Sequence, residues 1–195
     1  MAKRILIIDG HPDARSERYV HALSKAYCDG ARAAGHEVNS IIVSELEFSI
    51  LRRVEEFNSE TPSAEIQQAQ KLIADADHLV VLFPLWLGSM PALLKGFFEQ
   101  VFRPHFAFNY EGSGRIPRKL LKGKSARIIV TMGMPALVYR LYFRSHSLKS
   151  LERNVLSFCG IRPIRATVIG NIGSADSARR GRWLSKIQEL GGRGK

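Results

Sequence analysis

Three short segments carry the residues best suited to chemistry. The first is Asp9-Gly10-His11-Pro12-Asp13-Ala14-Arg15-Ser16-Glu17-Arg18. Ser16 reads as a helix N-cap, and Gly10 permits a tight exit from a preceding strand. Free backbone N–H groups at a helix N-terminus, with Arg15 and Arg18 nearby, suit an anion. Neither G-x-G-x-x-G nor G-x-x-x-x-G-K-[ST] is present, so the two commonest nucleotide fingerprints are absent. An ordinary strand-to-helix loop with surface arginines fits the same residues.

The second segment is Pro84-Leu85-Trp86-Leu87-Gly88, an apolar, aromatic turn. Turns meet water and are usually polar, so an apolar one suggests a cover. A flat ring such as an isoalloxazine needs an apolar wall and backbone N–H groups at its polar edge. Packing on a partner subunit, or in the core, is the other reading. The third segment is Thr131-Met132-Gly133-Met134-Pro135, with a hydroxyl at Thr131 and open backbone at Gly133. Tyr139 and His146 follow, seven residues apart, hence on one face of a continuous helix. Such a pair can donate protons or hydrogen bonds to a reduced, anionic acceptor. A partly buried Tyr and a surface His are the plain alternative.

Apolar period and chain breakers supply the elements that must hold these segments. Strands are expected at residues 4–8, 37–43, 79–83, 126–131 and 164–169. Helices are expected at 16–34, 61–76, 91–101, 139–158 and 176–190, the second with Thr61 as N-cap and Pro62 at its first position. Residues 44–58 read as irregular, and 103–123 as a long connection containing Gly112, Gly114 and Pro117. Strands alternating with helices predict one doubly wound α/β domain over residues 1–195, a parallel sheet with helices on both faces. In such sheets ligands bind beyond the C-terminal strand ends, which is where the three segments fall.

Residues 78–94 form a run of 17 without Asp, Glu, Lys or Arg, close to the length of a membrane span. Pro84, Gly88 and Pro91 interrupt it, and a continuous helix through them would lose hydrogen bonds. The run therefore divides into strand, turn and helix, and no membrane insertion is expected. In the helix, with Ser89 or Met90 as cap and Pro91 in its first turn, Leu93, Phe97 and Val101 form one row and Leu94, Phe98 and Phe102 the next. Lys95, Glu99 and Arg103 make a polar stripe.

A length of 195 residues suits one domain with a full core. The net charge of +11 is spread along the chain, with a cluster from Arg179 to Lys195. Nucleic acid, an anionic membrane surface or phosphorylated small molecules could each account for such a charge. No zinc-finger, basic-zipper or RNP pattern accompanies it, so nucleic acid is not the expected partner and the dispersed charge reads as solvated surface. Cys28 and Cys159 have no metal-type spacing and read as free thiols, which suits a cytoplasmic protein.

Together, G-H-P-D-A-R-S, the stretch from Phe83 to Phe102, T-M-G-M-P with Tyr139 and His146, and the overall length resemble the NAD(P)H:quinone oxidoreductase family. This flavodoxin-like group includes DT-diaphorase, modulator-of-drug-activity-type quinone reductases and ancillary subunits of glutathione-gated potassium efflux systems. The resemblance runs from Lys3 to about Leu190 and implies a flavodoxin-like five-stranded parallel sheet in a homodimer with the active site at the subunit interface. It implies that His11, Ser16, Glu17 and Arg18 line a flavin phosphate loop. Pro84, Leu85, Trp86 and Leu87 would run along the isoalloxazine, and Thr131, Met132, Gly133 and Met134 would meet its other polar edge. Tyr139 and His146 would be the catalytic pair. The cofactor implied is FAD, slightly preferred, or FMN, with NAD(P)H as donor and a quinone-type acceptor reduced by ping-pong hydride transfer. An ancillary regulatory subunit of a potassium efflux system is the alternative. The third loop departs from the family's frequent TTGG by carrying Met at two small positions.

Overall fold

Aliphatic runs bounded by polar turns become the strands. In the structure, a computed structural model that describes residues 1–58, 60–110 and 117–195, β1 (Arg4–Asp9), β2 (Glu37–Ile42), β3 (His78–Pro84), β6 (Ser125–Thr131) and β7 (Ile164–Ile169) form one parallel sheet. Its order is β2-β1-β3-β6-β7. A two-residue pair, β4 (Phe108–Asn109) with β5 (Arg118–Lys119), lies apart and is antiparallel. The order reverses between β1 and β3, the switch point beyond which ligands bind in doubly wound sheets.

Side chains alternate across the sheet and build two cores. Ile5, Ile7, Val80 and Leu82 pack under α1 (Tyr19–Ala33) and α8 (Ser177–Gly192) with Leu23, Tyr27 and Ile187. Leu6, Ile8, Leu79, Val81 and Phe83 face the other way, toward Ile66 and Ile73 of α3 (Ala64–Asp75) and Leu94, Phe97 and Val101 of α4 (Ala92–Val101). Close approach of α1 and α8 depends on two glycines. A Cβ on Gly30 would lie 1.9 Å from the Gln188 carbonyl oxygen, and one on Gly191 2.2 Å from that of Tyr27.

Several boundaries differ from expectation, each for a local reason. Helix α1 begins at Tyr19 with Arg18 as N-cap, so Ser16 caps nothing. The Asp13 carboxylate holds the Arg15 N–H and both arginine side chains, which keeps residues 13–18 folded as a loop. Ser63, not Thr61, caps α3 and accepts the Ile66 N–H. Pro91 is itself the N-cap residue of α4, so neither Ser89 nor Met90 fills that position. Residues 44–58 include a short helix, α2 (Val54–Asn58).

The single helix expected over 139–158 is broken. It divides into α5 (Ala136–Leu141), α6 (His146–Ser150), a π-helical turn (Leu151–Leu156) and α7 (Ser157–Cys159). Arg144 and Ser145 adopt φ of 49° and 52°, left-handed values that stop a right-handed helix. Lys95 and Glu99 pair as expected, but Arg103 leaves the stripe: it is buried, donating to the Glu60 carbonyl and to Gln100 Oε1. Both cysteines are free and buried. Gly112 and Gly114 of the expected long connection lie outside the described residues. Among the described residues, no helix is long and apolar enough to cross a membrane.

Candidate functional site

The strand ends and their hydrogen bonds set three loops side by side. Gly10 N–H donates to the Leu82 carbonyl at 2.7 Å, which ties the loop after β1 to β3. Leu85 N–H donates to the Thr131 carbonyl at 2.7 Å, which ties the loop after β3 to β6. A Cβ at position 10 would lie 2.5 Å from Leu94 Cδ2 and 3.0 Å from the Leu82 carbonyl oxygen, so any larger residue there must push the Leu94 side chain aside.

The apolar turn is a rigid projection. Trp86 and Ser89 exchange two backbone hydrogen bonds of 2.9 Å each. The two residues between them, Leu87 and Gly88, take φ of 46° and 78°. Two successive left-handed residues within such a bonded pair have the geometry of a tight hairpin turn. Leu87 has no glycine's freedom, so its conformation carries strain, and strain of this kind gathers at binding sites. Pro84 and Leu85 are half-buried and Leu85 packs on the core, while Trp86 is half exposed and Leu87 stands fully in solvent.

The loop after β1 is a charged knot. Asp13 accepts from Arg15 Nε at 3.0 Å and from Arg18 Nε at 2.7 Å. Hydrogen bonds from Arg15 first, and then from Arg18, hold its carboxyl well below the usual range. His11 is buried and takes the Asp13 N–H on Nδ1 at 3.0 Å. Burial, and then the neighbouring His21, push His11 below the ordinary histidine pKa. Ser16 and Glu17 are exposed.

In the third loop, Gly133 is exposed, and a Cβ there would meet nothing within 4 Å. Thr131 is buried. Met132 sinks into the core and does not line an opening, and Met134 is partly buried against that core. Tyr139 and His146 do not share a helix face. Tyr139 is 1% exposed, and its hydroxyl accepts the Leu148 N–H of α6 at 3.2 Å. His146 is exposed and lines an open cavity of about 690 Å³ with Leu87, Gly88, Ser89, Arg144 and Lys149.

Residues missed from the sequence lie beneath the first loop. Asp9 is 3% exposed and meets His21 Nδ1 at 2.7 Å. Asp9 ends β1 and His21 sits in the first turn of α1, so the pair forms only in three dimensions. The two aspartates flanking Gly10-His11 were the available signal.

The arrangement fits a ligand with an anionic end and a flat apolar body. Arginines and N–H groups mark one side, and Trp86 with Leu87 marks the other. A flavin mono- or dinucleotide has that form.

The chain is 30% identical over 117 residues to an uncharacterized NAD(P)H oxidoreductase of Haemophilus influenzae, a match covering 60% of this chain and 57% of that protein. It therefore spans little more than half of that relative. It is 26% identical over 215 residues to a rat ribosyldihydronicotinamide dehydrogenase [quinone], covering 96% of this chain and 90% of that protein. The solved structure of an NAD(P)H:quinone oxidoreductase from Methanothermobacter marburgensis superposes with a TM-score of 0.79 at 20% identity, covering 99% and 97% of the two chains, which is a likeness of fold. A model of the flavodoxin-like fold matches residues 3–190, and the chain belongs to that family.

Proposed function

We propose that this chain is a flavin-dependent NAD(P)H oxidoreductase that passes two electrons to a quinone or similar aromatic acceptor. The observation that carries the reading is the exposed Trp86–Leu87 turn, joined through His11 to a loop bearing Arg15 and Arg18. The printed names of the relatives support the donor and acceptor classes.

When bound, FAD or FMN would supply the two-electron hydride chemistry that links NAD(P)H to the acceptor. The chain's residues do the rest. His11, Arg18 and the backbone N–H groups of Ala14, Ser16 and Glu17 would hold the phosphate, with the Ser16 and Glu17 side chains on the outer rim. Leu85, Trp86 and Leu87 shield one side of the ring from water, and Gly133 lets its polar edge reach the backbone. Thr131, Met132 and Met134 support that backbone from below. His146 would give a proton to the acceptor, and Tyr139 would hold the helix that carries His146 through its bond to the Leu148 N–H.

A second copy of the chain completes the site. Leu137, Val138, Leu141, Tyr142 and Phe143 are exposed on and just after α5, a large apolar surface to leave in water. Their cover by a homodimer would also seal the flavin face.

The test is an absorbance spectrum of purified protein after flavin addition, followed by NAD(P)H oxidation with a benzoquinone. A retained yellow chromophore and quinone-dependent oxidation are expected. A colourless protein that oxidises no NAD(P)H overturns the assignment.

A further inference from the structure

Two histidines lie under the first loop with ring centroids 5.3 Å apart, and their partners require different protonation states. His21 Nε2 is 2.9 Å from the Asp13 carbonyl oxygen. A carbonyl oxygen only accepts, so Nε2 carries a proton. His21 Nδ1 is 2.7 Å from Asp9 Oδ2, while Asp9 Oδ1 takes the His11 backbone N–H at 3.2 Å. An ionised Asp9 accepts on both oxygens, and that state places a second proton on His21 Nδ1. For His11 the logic reverses. His11 Nδ1 lies 3.0 Å from the Asp13 backbone nitrogen and 3.1 Å from the Asp13 carbonyl oxygen. The backbone N–H always carries its hydrogen, and a second hydrogen on Nδ1 would meet it, so the N–H decides: Nδ1 of His11 is bare and its proton sits on Nε2.

We propose that His21 is held as an imidazolium, ion-paired to buried Asp9, and that this pair is the positioning device of the phosphate loop. The imidazolium grips the Asp13 carbonyl. That grip presents the Asp13 N–H to His11 and fixes His11 as a neutral Nε2–H donor. One proton beneath the loop thereby fixes the Asp13 backbone and the His11 ring that face the phosphate.

The charged groups facing His21 agree. Asp9 reaches it from β1, and His11 and Asp13 from the loop. Lys25, on the next turn of α1, is paired with Asp29. Arg32 and Glu45 line the same cavity as His21. Trp86 reaches His11 from the turn after β3 and brings no charge. Burial draws His21 down, but its bonds to Asp9 and Asp13 more than offset this, and its pKa lies above the ordinary value.

The first experiment is long-range proton–nitrogen correlation on ligand-free, nitrogen-15 histidine-labelled protein near neutral pH. His21→Gln and His11→Gln assign the signals. Two protonated nitrogens on His21 and a bare Nδ1 on His11 are expected. A neutral His21 overturns the proposal. The second is FMN binding, followed by fluorescence quenching from about pH 6 to 9. Wild-type affinity should fall about tenfold across the His21 titration, and the His21→Gln profile should be flat and weak. Tight wild-type binding with no pH dependence overturns the positioning role. This second arm rests on the flavin reading. A protein that binds no FMN fails that reading, while the nitrogen spectra still decide the protonation of His21.

Discussion

The rings of His11 and Trp86 meet edge-on, with centroids 6.2 Å apart and planes at 81°. Through this contact the charged loop after β1 leans on the apolar turn after β3. The two ends of the proposed ligand, anionic and aromatic, are thus read by parts that touch each other. A shift in either loop is felt at the other.

Trp86→Ala should separate binding from folding. The ring is 51% exposed, so its loss should change stability by no more than about 0.5 kcal/mol. Flavin affinity should fall about tenfold to a hundredfold, because a stacking surface is worth roughly 1–3 kcal/mol. Thermal melts and flavin titration on the same preparation check both. Unchanged affinity would remove Trp86 from the site.

Asp13→Asn should strengthen anion binding. Asp13 occupies the guanidinium groups of Arg15 and Arg18, so an incoming phosphate competes with an internal carboxylate. Those arginine bonds depress the Asp13 pKa, so this lock is in place above the ordinary carboxylate range and opens only as pH falls well below it. The amide keeps an oxygen for the Arg15 N–H and loses the charge. Inorganic phosphate should bind about three- to tenfold more tightly at low salt, with the gain shrinking as salt rises. Equal or weaker binding by calorimetry would count against the competition.

Tyr139→Phe should cost stability rather than chemistry. The Tyr139 hydroxyl accepts the Leu148 N–H, one of the first-turn donors of α6 that have no helical partner. Without it a buried N–H is orphaned, at about 1–3 kcal/mol. Chemical denaturation should show that loss, while NAD(P)H oxidation per folded molecule stays within about twofold of wild type. A large drop in turnover with unchanged stability would return Tyr139 to a catalytic role.

The sheet and the helix after β3 were legible because their signals are local. Aliphatic runs end at Gly or Pro, and the rows beginning at Leu93 and Leu94 have helical spacing. What escaped depends on contacts across the fold or on backbone angles without a residue signature. Ser16 looks like an N-cap until Asp13 folds the loop away from it. Arg144 and Ser145 turn left-handed with no glycine to announce it, and that breaks the face on which Tyr139 and His146 were to meet. Arg103 has the spacing of a surface charge, yet the Glu60 carbonyl draws it inside. Asp9 and His21 stand twelve residues apart, and only the end of β1 against the start of α1 pairs them.

Stability should peak between two opposed histidine titrations. His78 is buried in β3 with Nδ1 at 2.8 Å from Ser125 Oγ, and burial, reinforced by Lys3, Arg127 and Arg165, lowers its pKa to about 4. A histidine kept neutral in the fold contributes stability above its unfolded pKa and loses it as pH falls toward the folded one. At about 1.4 kcal/mol per unit, the loss between roughly pH 6.5 and 4 is of order 3 kcal/mol. His21 works in the opposite sense. Its raised pKa stabilises the fold fully below the unfolded value, and that contribution fades as pH rises through the folded one. Urea unfolding from about pH 4 to 9 should therefore give a curve falling on both sides. His78→Gln should flatten the acid limb and leave the alkaline limb in place, and His21→Gln should do the reverse. If either variant moved both limbs equally, the two titrations would not be the independent terms their separate positions, at opposite ends of the sheet, require.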